Sequence, residues 1–177
     1  MNQILTCIAL PPADSLRRGM IPRTDDAIAL PPDFPGSLSD DADLTLIPPS
    51  KEPPPDCTCH HVPALRMVEM GAWQGAALKD LPPAGLARWT ADATFAPPGG
   101  ESRADLLHRI TPWLTALPTT PPRIRVMADA TVIKAIVIAA LGGDAGMLSR
   151  LDIAPCSHTV LTRHTAWRVR MTGASLS

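Results

Sequence analysis

The sequence predicts an α/β fold: three layers, α/β/α, around a mostly parallel central sheet. Three stretches carry that expectation. Residues 4–10 form a short, nearly continuous apolar run with β-branched content, the signature of a strand buried on both faces. Residues 124–128 form another such run, and Asp129 leads from it straight into 130–141, apolar all round except for Lys134. A strand feeding directly into a buried helix is how a sheet acquires its covering layers. Residues 159–162 and 167–171 alternate apolar with polar side chains and read as a closing antiparallel hairpin.

Taken in order, the run at 4–10 ends at Pro11-Pro12. Residues 11–42 show neither helical nor strand periodicity. Pro11, Pro12, Pro22, Pro31, Pro32 and Pro35 interrupt any helix there, so a long loop with at most one helical turn is expected. Residues 43–47 supply a second strand, stopped by Pro48-Pro49, and 48–63 reads as a second proline-rich loop. A helical pattern over 74–92 is split by Pro82-Pro83. Ser102 and Asp105 then form a capping-box pair after the flexible Gly99-Gly100. Beyond them Leu106, Leu107, Ile110, Trp113, Leu114 and Leu117 recur at helical spacing, with Pro112 expected to kink or break the helix. Asp129 can cap the helix at 130–141, and Gly142-Gly143 ends it.

A chain of 177 residues suits one domain, 1–177, with its proline-rich loops at 11–42 and 48–63. Sixteen Lys and Arg against seventeen Asp and Glu leave a net charge of -1, so no nucleic-acid or anionic-membrane footprint is present. The apolar runs are too short to span a bilayer, and the first residues lack a basic start, which points to the cytoplasm. Cys7, Cys57, Cys59 and Cys156 are expected as reduced thiols. Cys57-Thr58-Cys59-His60-His61 packs four potential zinc ligands into five residues, too tightly for all to reach one ion, so no metal site is expected.

Three elements resemble the histidine phosphatase superfamily, the phosphoglycerate mutase-like fold. They are Glu69-Met70-Gly71-Ala72-Trp73-Gln74-Gly75, Pro98-Gly99-Gly100-Glu101-Ser102, and the strand-to-helix turn from Val126 to Lys134. The resemblance covers roughly residues 64 to 171 and is weak over 4 to 50. By resemblance Glu69 takes the general-acid role; its plainer reading is an ordinary loop carboxylate. Ser102 would face an anion or simply cap its helix. Where the superfamily ends its first strand on Arg-His-Gly, this chain has Ala9-Leu10-Pro11, and where a second histidine ends a later strand it has Asp129, followed by Ala130. Leu10 has no lone pair for covalent phosphoryl transfer, and Ala9 removes a phosphate clamp. Lys51 offers a charge without the planar fork of an arginine. Arg17-Arg18-Gly19 resembles an arginine-glycine segment downstream of the signature, with a solvated loop as the alternative.

Two functional readings follow. In the first, the chain is a catalytically impaired or inactive binding or regulatory module on this fold, with Ala9, Leu10, Arg17, Arg18, Ser102 and Ala130 lining the remnant pocket. In the second, it is a phosphatase or mutase-like hydrolase using Glu69 and Asp129 as a relocated acid/base pair. Neither reading calls for a cofactor. The partner is an unidentified small molecule or protein, and a homodimer is expected only because relatives of this fold often dimerise.

Overall fold

The computed structural model describes residues 2–26, 28, 42–51 and 58–176. Gln3–Ala9 is β1, buried toward both faces over its second half. Asp14–Arg17 is a single helical turn, α1. Leu44–Ile47 is β2, and Cys59–His61 is β3. Pro83–Ala91 is α2 and Arg103–Ala116 is α3. Arg123–Ala128 (β4) runs into Ala130–Leu141 (α4), and Ser157–Arg163 (β5) turns back through Trp167–Ser175 (β6).

The strands form one six-stranded sheet in the order β3-β2-β4-β1-β5-β6. Pairing is parallel from β3 through β1 and antiparallel at β1–β5 and β5–β6. Five strands therefore point one way, and the α/β class with a mostly parallel sheet holds. The central pair, β1 and β4, is in register from Ile4 opposite Arg123 to Ala9 opposite Ala128. That register brings Leu10 and Asp129, the next residue of each strand, to the same edge, and the Leu10 amide donates to the Ala128 carbonyl at 2.9 Å.

Each face of the sheet has its own apolar cluster. Leu5, Cys7 and Ala9 of β1, with Val126 and Ala128 of β4, pack under α3 and α4. In α3, Leu106, Ile110 and Leu114 are buried four residues apart, one face of the helix. Each such side chain contributes about 1.5–3 kcal/mol by leaving water. On the other face Ile8, Leu10, Ile47 and Met127 form a smaller cluster, and the described side chains packed on it are Ile28, Cys59 and Leu176.

Three expectations need correction. Residues 48–63 are not loop throughout, because Cys59–His61 pairs in parallel with β2. Too short to show alternation, and at a sheet edge with His60 and His61 exposed, it leaves no pattern in the sequence. The amino-terminal half of the 74–92 helical pattern holds only one short 3₁₀ turn, at Leu78–Asp80. Regular helix begins at Pro83, whose fixed φ suits a first turn. Pro112 does not break α3, which continues through it to Ala116. At 11–42, the described residues carry the single turn of α1, and residues 27 and 29–41 lie outside the description, as does Cys57. No described helix is long and apolar enough to cross a membrane.

Candidate functional site at the carboxyl ends of β1 and β4

Two sequence elements that looked like site motifs turn out to hold one another. The Glu69 carbonyl accepts the Glu101 amide at 2.7 Å, and the Pro98 carbonyl accepts the Ala72 amide at 2.9 Å. Gly71 sits at φ 49°, and a Cβ there would strike the backbone of Pro98 to Gly100; one on Gly100 would lie 2.6 Å from the Glu69 carbonyl oxygen. The glycines are there because two backbones touch. Glu101 is buried and takes Arg109 bidentately, Nε at 2.6 Å and Nη2 at 3.0 Å. Arg109 also donates to the carbonyls of Ala64 and Arg66. Arg66 bridges the two acids, meeting Glu69 at 3.1 Å and Glu101 at 3.2 Å.

Ser102, 2 % exposed, is a helix cap: it accepts the Asp105 amide, and its own amide donates to the Asp105 carboxylate. The capping reading of Ser102 is thus sufficient. The Ser102 hydroxyl and amide hold the Asp105 carboxyl below the ordinary carboxylate range.

At the sheet edge, Leu10 and Asp129 line one cavity of about 40 Å³ together with Leu65, Met67, Ser50, Lys51, Arg23 and Asp26. That is room for a few waters. Leu10 is only 8 % exposed and belongs to the apolar cluster beneath. Asp129 caps α4, its Oδ1 accepting the Thr131 amide at 2.8 Å. Lys51 is half-buried and donates to the Asp26 carbonyl at 3.0 Å. Burial lowers its pKa, opposed by the carboxylates of Asp26, Asp129 and Asp25. The Ser15 hydroxyl, followed by the Arg23 amide, holds Asp26 below the usual carboxylate range. The charges around Leu10 thus largely answer one another.

The remaining expected residues are dispersed. Ala9 is fully buried under the sheet, and Ala130 is packed against the main core at the start of α4. Arg17 is exposed and meets Asp14 at 3.9 Å. Arg18 lines a neighbouring cleft with Arg23 and Asp26. Glu69 does not line the cavity; its side chain is 46 % exposed and engaged by Arg66. None of His60, His61, His108, His158 and His164 lines it either. His158 stands on β5 opposite Ile8, with a buried Nδ1 that has no hydrogen-bond partner among the described residues. Arg23 and Asp26 carry no motif in the sequence; only their place after the arginine-glycine segment could have drawn attention to them. No described group of three or more His, Cys, Asp or Glu residues is placed to hold a metal ion.

A family model described as the histidine phosphatase superfamily (branch 1) matches residues 51–173. The chain belongs to that superfamily. Among solved structures, this histidine-phosphatase chain is similar to a structure titled "Mycobacterial hydrolase 1", with 22 % identity, a TM-score of 0.80 and coverage of 99 % of this chain and 100 % of that one. It also resembles a mycobacterial glucosyl-3-phosphoglycerate phosphatase at 21 % identity and TM-score 0.73, covering 98 % and 99 %. A third is a phosphoserine phosphatase from Entamoeba histolytica, in complex with 3-phosphoglyceric acid, at 16 % identity and TM-score 0.81, covering 98 % of each chain. At such identities the likeness establishes a shared fold. No curated protein sequence matches.

Proposed function

We propose that this histidine-phosphatase chain binds a small molecule or protein partner at the carboxyl ends of β1 and β4 without forming a phosphohistidine. The observation that carries this reading is the aliphatic seat at Leu10, buried and facing a cavity that no histidine lines. A phosphoryl group there would meet no imidazole to accept it as a phosphohistidine. It would also meet Asp129 from the opposite strand, and two like unit charges about 4 Å apart repel by roughly 4 kcal/mol at an effective dielectric near 20. The charged neighbours Lys51, Arg23 and Asp26 make the rim suitable for polar recognition.

A second reading is favoured by the names of the solved structures, which are hydrolases or phosphatases. In it the chain is a phosphoric monoester hydrolase with Glu69 and Asp129 as acid and base. That chemistry needs both carboxylates on one substrate, with environments that separate their pKa values, whereas only Asp129 lines the cavity. The deciding measurement is turnover of p-nitrophenyl phosphate by the purified full chain. No steady turnover is expected. Steady turnover that disappears in Glu69→Gln and Asp129→Asn would replace the first reading with the second.

A further inference from the structure

We propose that the outer edge of the sheet at β6 docks an acidic, extended segment of a partner protein, which adds as a further strand and sets its carboxylates against Arg168 and Arg170. This surface is separate from the Leu10 cavity, none of whose lining residues belongs to β6.

β6 stands last in the sheet order, so one side of its backbone pairs with no described strand. At nine residues it is long enough to template another strand. Trp167 and Val169 pack against the main apolar cluster, whereas Arg168 and Arg170, on either side of Val169, are exposed. Leu161 lies opposite Val169 and Val160 opposite Met171, which leaves Arg170 as the extra residue of a bulge. Neither guanidinium makes a hydrogen bond or ion pair with a described residue. Residues 153–177 hold Arg163, Arg168 and Arg170 and no Asp or Glu. Arg163 is already taken by Gln3 and the carbonyls of Leu117 and Pro118. The edge is therefore locally positive on a chain whose net charge is -1.

Charge decides the occupant. A second copy pairing antiparallel about Val169 would set Arg168 against Arg170 of that copy, and like charges directly opposite destabilise a strand pair. Arginines and a bulge are also the means by which an edge resists pairing with its own kind. The same two cations become partners for a strand that brings carboxylates, because a guanidinium presents a fork of donors that fits a carboxylate bidentately. An extended segment alternates its side chains, so acidic residues two apart can reach the two arginines while its backbone bonds to the open side of β6. Met171, 41 % exposed, and the half-buried Val160 opposite it offer apolar surface to the same segment. Two unpaired charges on a chain of net charge -1 give no track for a nucleic-acid backbone.

The test is fluorescence anisotropy of the full chain with a short labelled peptide in which glutamate alternates with valine, and with its glutamine-for-glutamate counterpart as control. Wild type should bind the glutamate peptide, prefer it to the glutamine peptide by roughly tenfold or more, and lose that preference as salt is raised. Arg168→Ala/Arg170→Ala should remove the preference. Arg168→Glu/Arg170→Glu should reject the glutamate peptide and take up a lysine-for-glutamate peptide instead. Arg150→Ala, exposed but off the edge strand, should leave affinity unchanged. Because Arg168 and Arg170 are exposed, their variants should keep the wild-type melting temperature. Amide hydrogen exchange should slow along β6 when the glutamate peptide is bound. No binding by wild type, equal binding of the glutamine peptide, undiminished affinity in the double alanine variant, or protection that spares β6 would each overturn the proposal. So would equally tight binding of a labelled oligothymidylate, which would assign the edge to nucleic acid. A wild-type dimer in sedimentation that the double alanine variant dissociates would assign it to a second copy and overturn the proposal likewise.

Discussion

Arg109 Nε lies 2.6 Å from Glu101 Oε1, with the two side chains only 12 % and 7 % exposed. This ion pair ties α3 to the segment that carries Glu69, because Arg109 also donates to the Arg66 carbonyl and Arg66 reaches both glutamates. Removing one member takes the principal charge partner from the other, Glu101 keeping only Arg66 and Arg109 only backbone carbonyls, which costs up to about 3–5 kcal/mol. Arg109→Met and Glu101→Gln should each lower the urea unfolding free energy by an amount in that range. The double variant should lose clearly less than the two single losses combined. Independent, additive losses would show that the pair is not coupled as its geometry requires.

Gly71 and Gly99 are two turns of one clasp with different constraints. Both have positive φ, 49° and 70°, but a Cβ on Gly71 would run into the backbone of the 98–100 segment, whereas one on Gly99 would meet nothing within 4 Å. Gly99→Ala should therefore cost only the left-handed backbone penalty of about 1–2 kcal/mol. Gly71→Ala must also push two backbones apart and should cost more than about 3 kcal/mol or prevent cooperative folding. Thermal and urea unfolding of the two variants side by side checks the order. Equal losses would contradict the close approach.

Acid should expose the capping box of α3. The Asp105 carboxyl is held below its ordinary value by the Ser102 hydroxyl and amide. Its contribution is therefore whole above the unfolded value of about 3.9 and is lost as pH falls through the lower, folded value. Asp26, lowered by the Ser15 hydroxyl and the Arg23 amide, shifts stability in the same direction. Stability should fall on acidification below about pH 4. Ser102→Ala should cost about 0.5–2 kcal/mol at neutral pH and should reduce the acid slope. A variant as pH-sensitive as wild type would show that the hydroxyl is not what holds the carboxyl.

How much of this the sequence disclosed depends on whether the cause is local. The turn at Asp129, the boundaries of α4 at 130–141 and the αL cap at Gly142 all follow from neighbouring residues, and the structure reproduces them. The same holds for the Ser102–Asp105 box. The motifs at Glu69 to Gly75 and Pro98 to Ser102 were legible as motifs, yet not as halves of one clasp, because their contact joins residues about thirty apart. Likewise β3 exists only through its pairing with β2. The ring of Arg23, Asp26 and Lys51 about Leu10 is assembled from irregular segments that no periodicity marks.

Burial makes Cys7 a marker of global opening. It is fully buried between sheet and helices, and that burial pushes its thiol well above the usual range. A thiol so protonated is a poor nucleophile as well as an inaccessible one. Iodoacetamide should leave Cys7 unmodified in the native protein and label it at the rate of unfolding when urea is added, with peptide mass mapping to separate it from the other cysteines. Native-state labelling at Cys7 would mean that the layer formed by α3 and α4 opens locally.

Placing a histidine at position 10 should not confer phosphotransfer. In Leu10→His the imidazole would sit in a cavity of about 40 Å³ opposite the Asp129 carboxylate. There it would have no arginine beside it at position 9, and an incoming phosphoryl group would still face like charge. Repairing the neighbours carries its own cost. Ala9 is fully buried, so Ala9→Arg overpacks the core and buries a charge. Asp129→His removes the cap on Thr131, at a cost of about 1 kcal/mol. The expected result is no steady release of p-nitrophenol from Leu10→His or from Leu10→His/Asp129→His, with Asp129→His measurably less stable than wild type. Steady turnover in Leu10→His would mean that the rest of a phosphoryl site is in place and that Leu10 alone keeps it silent; turnover only in the double variant would mean that Leu10 and Asp129 do so together.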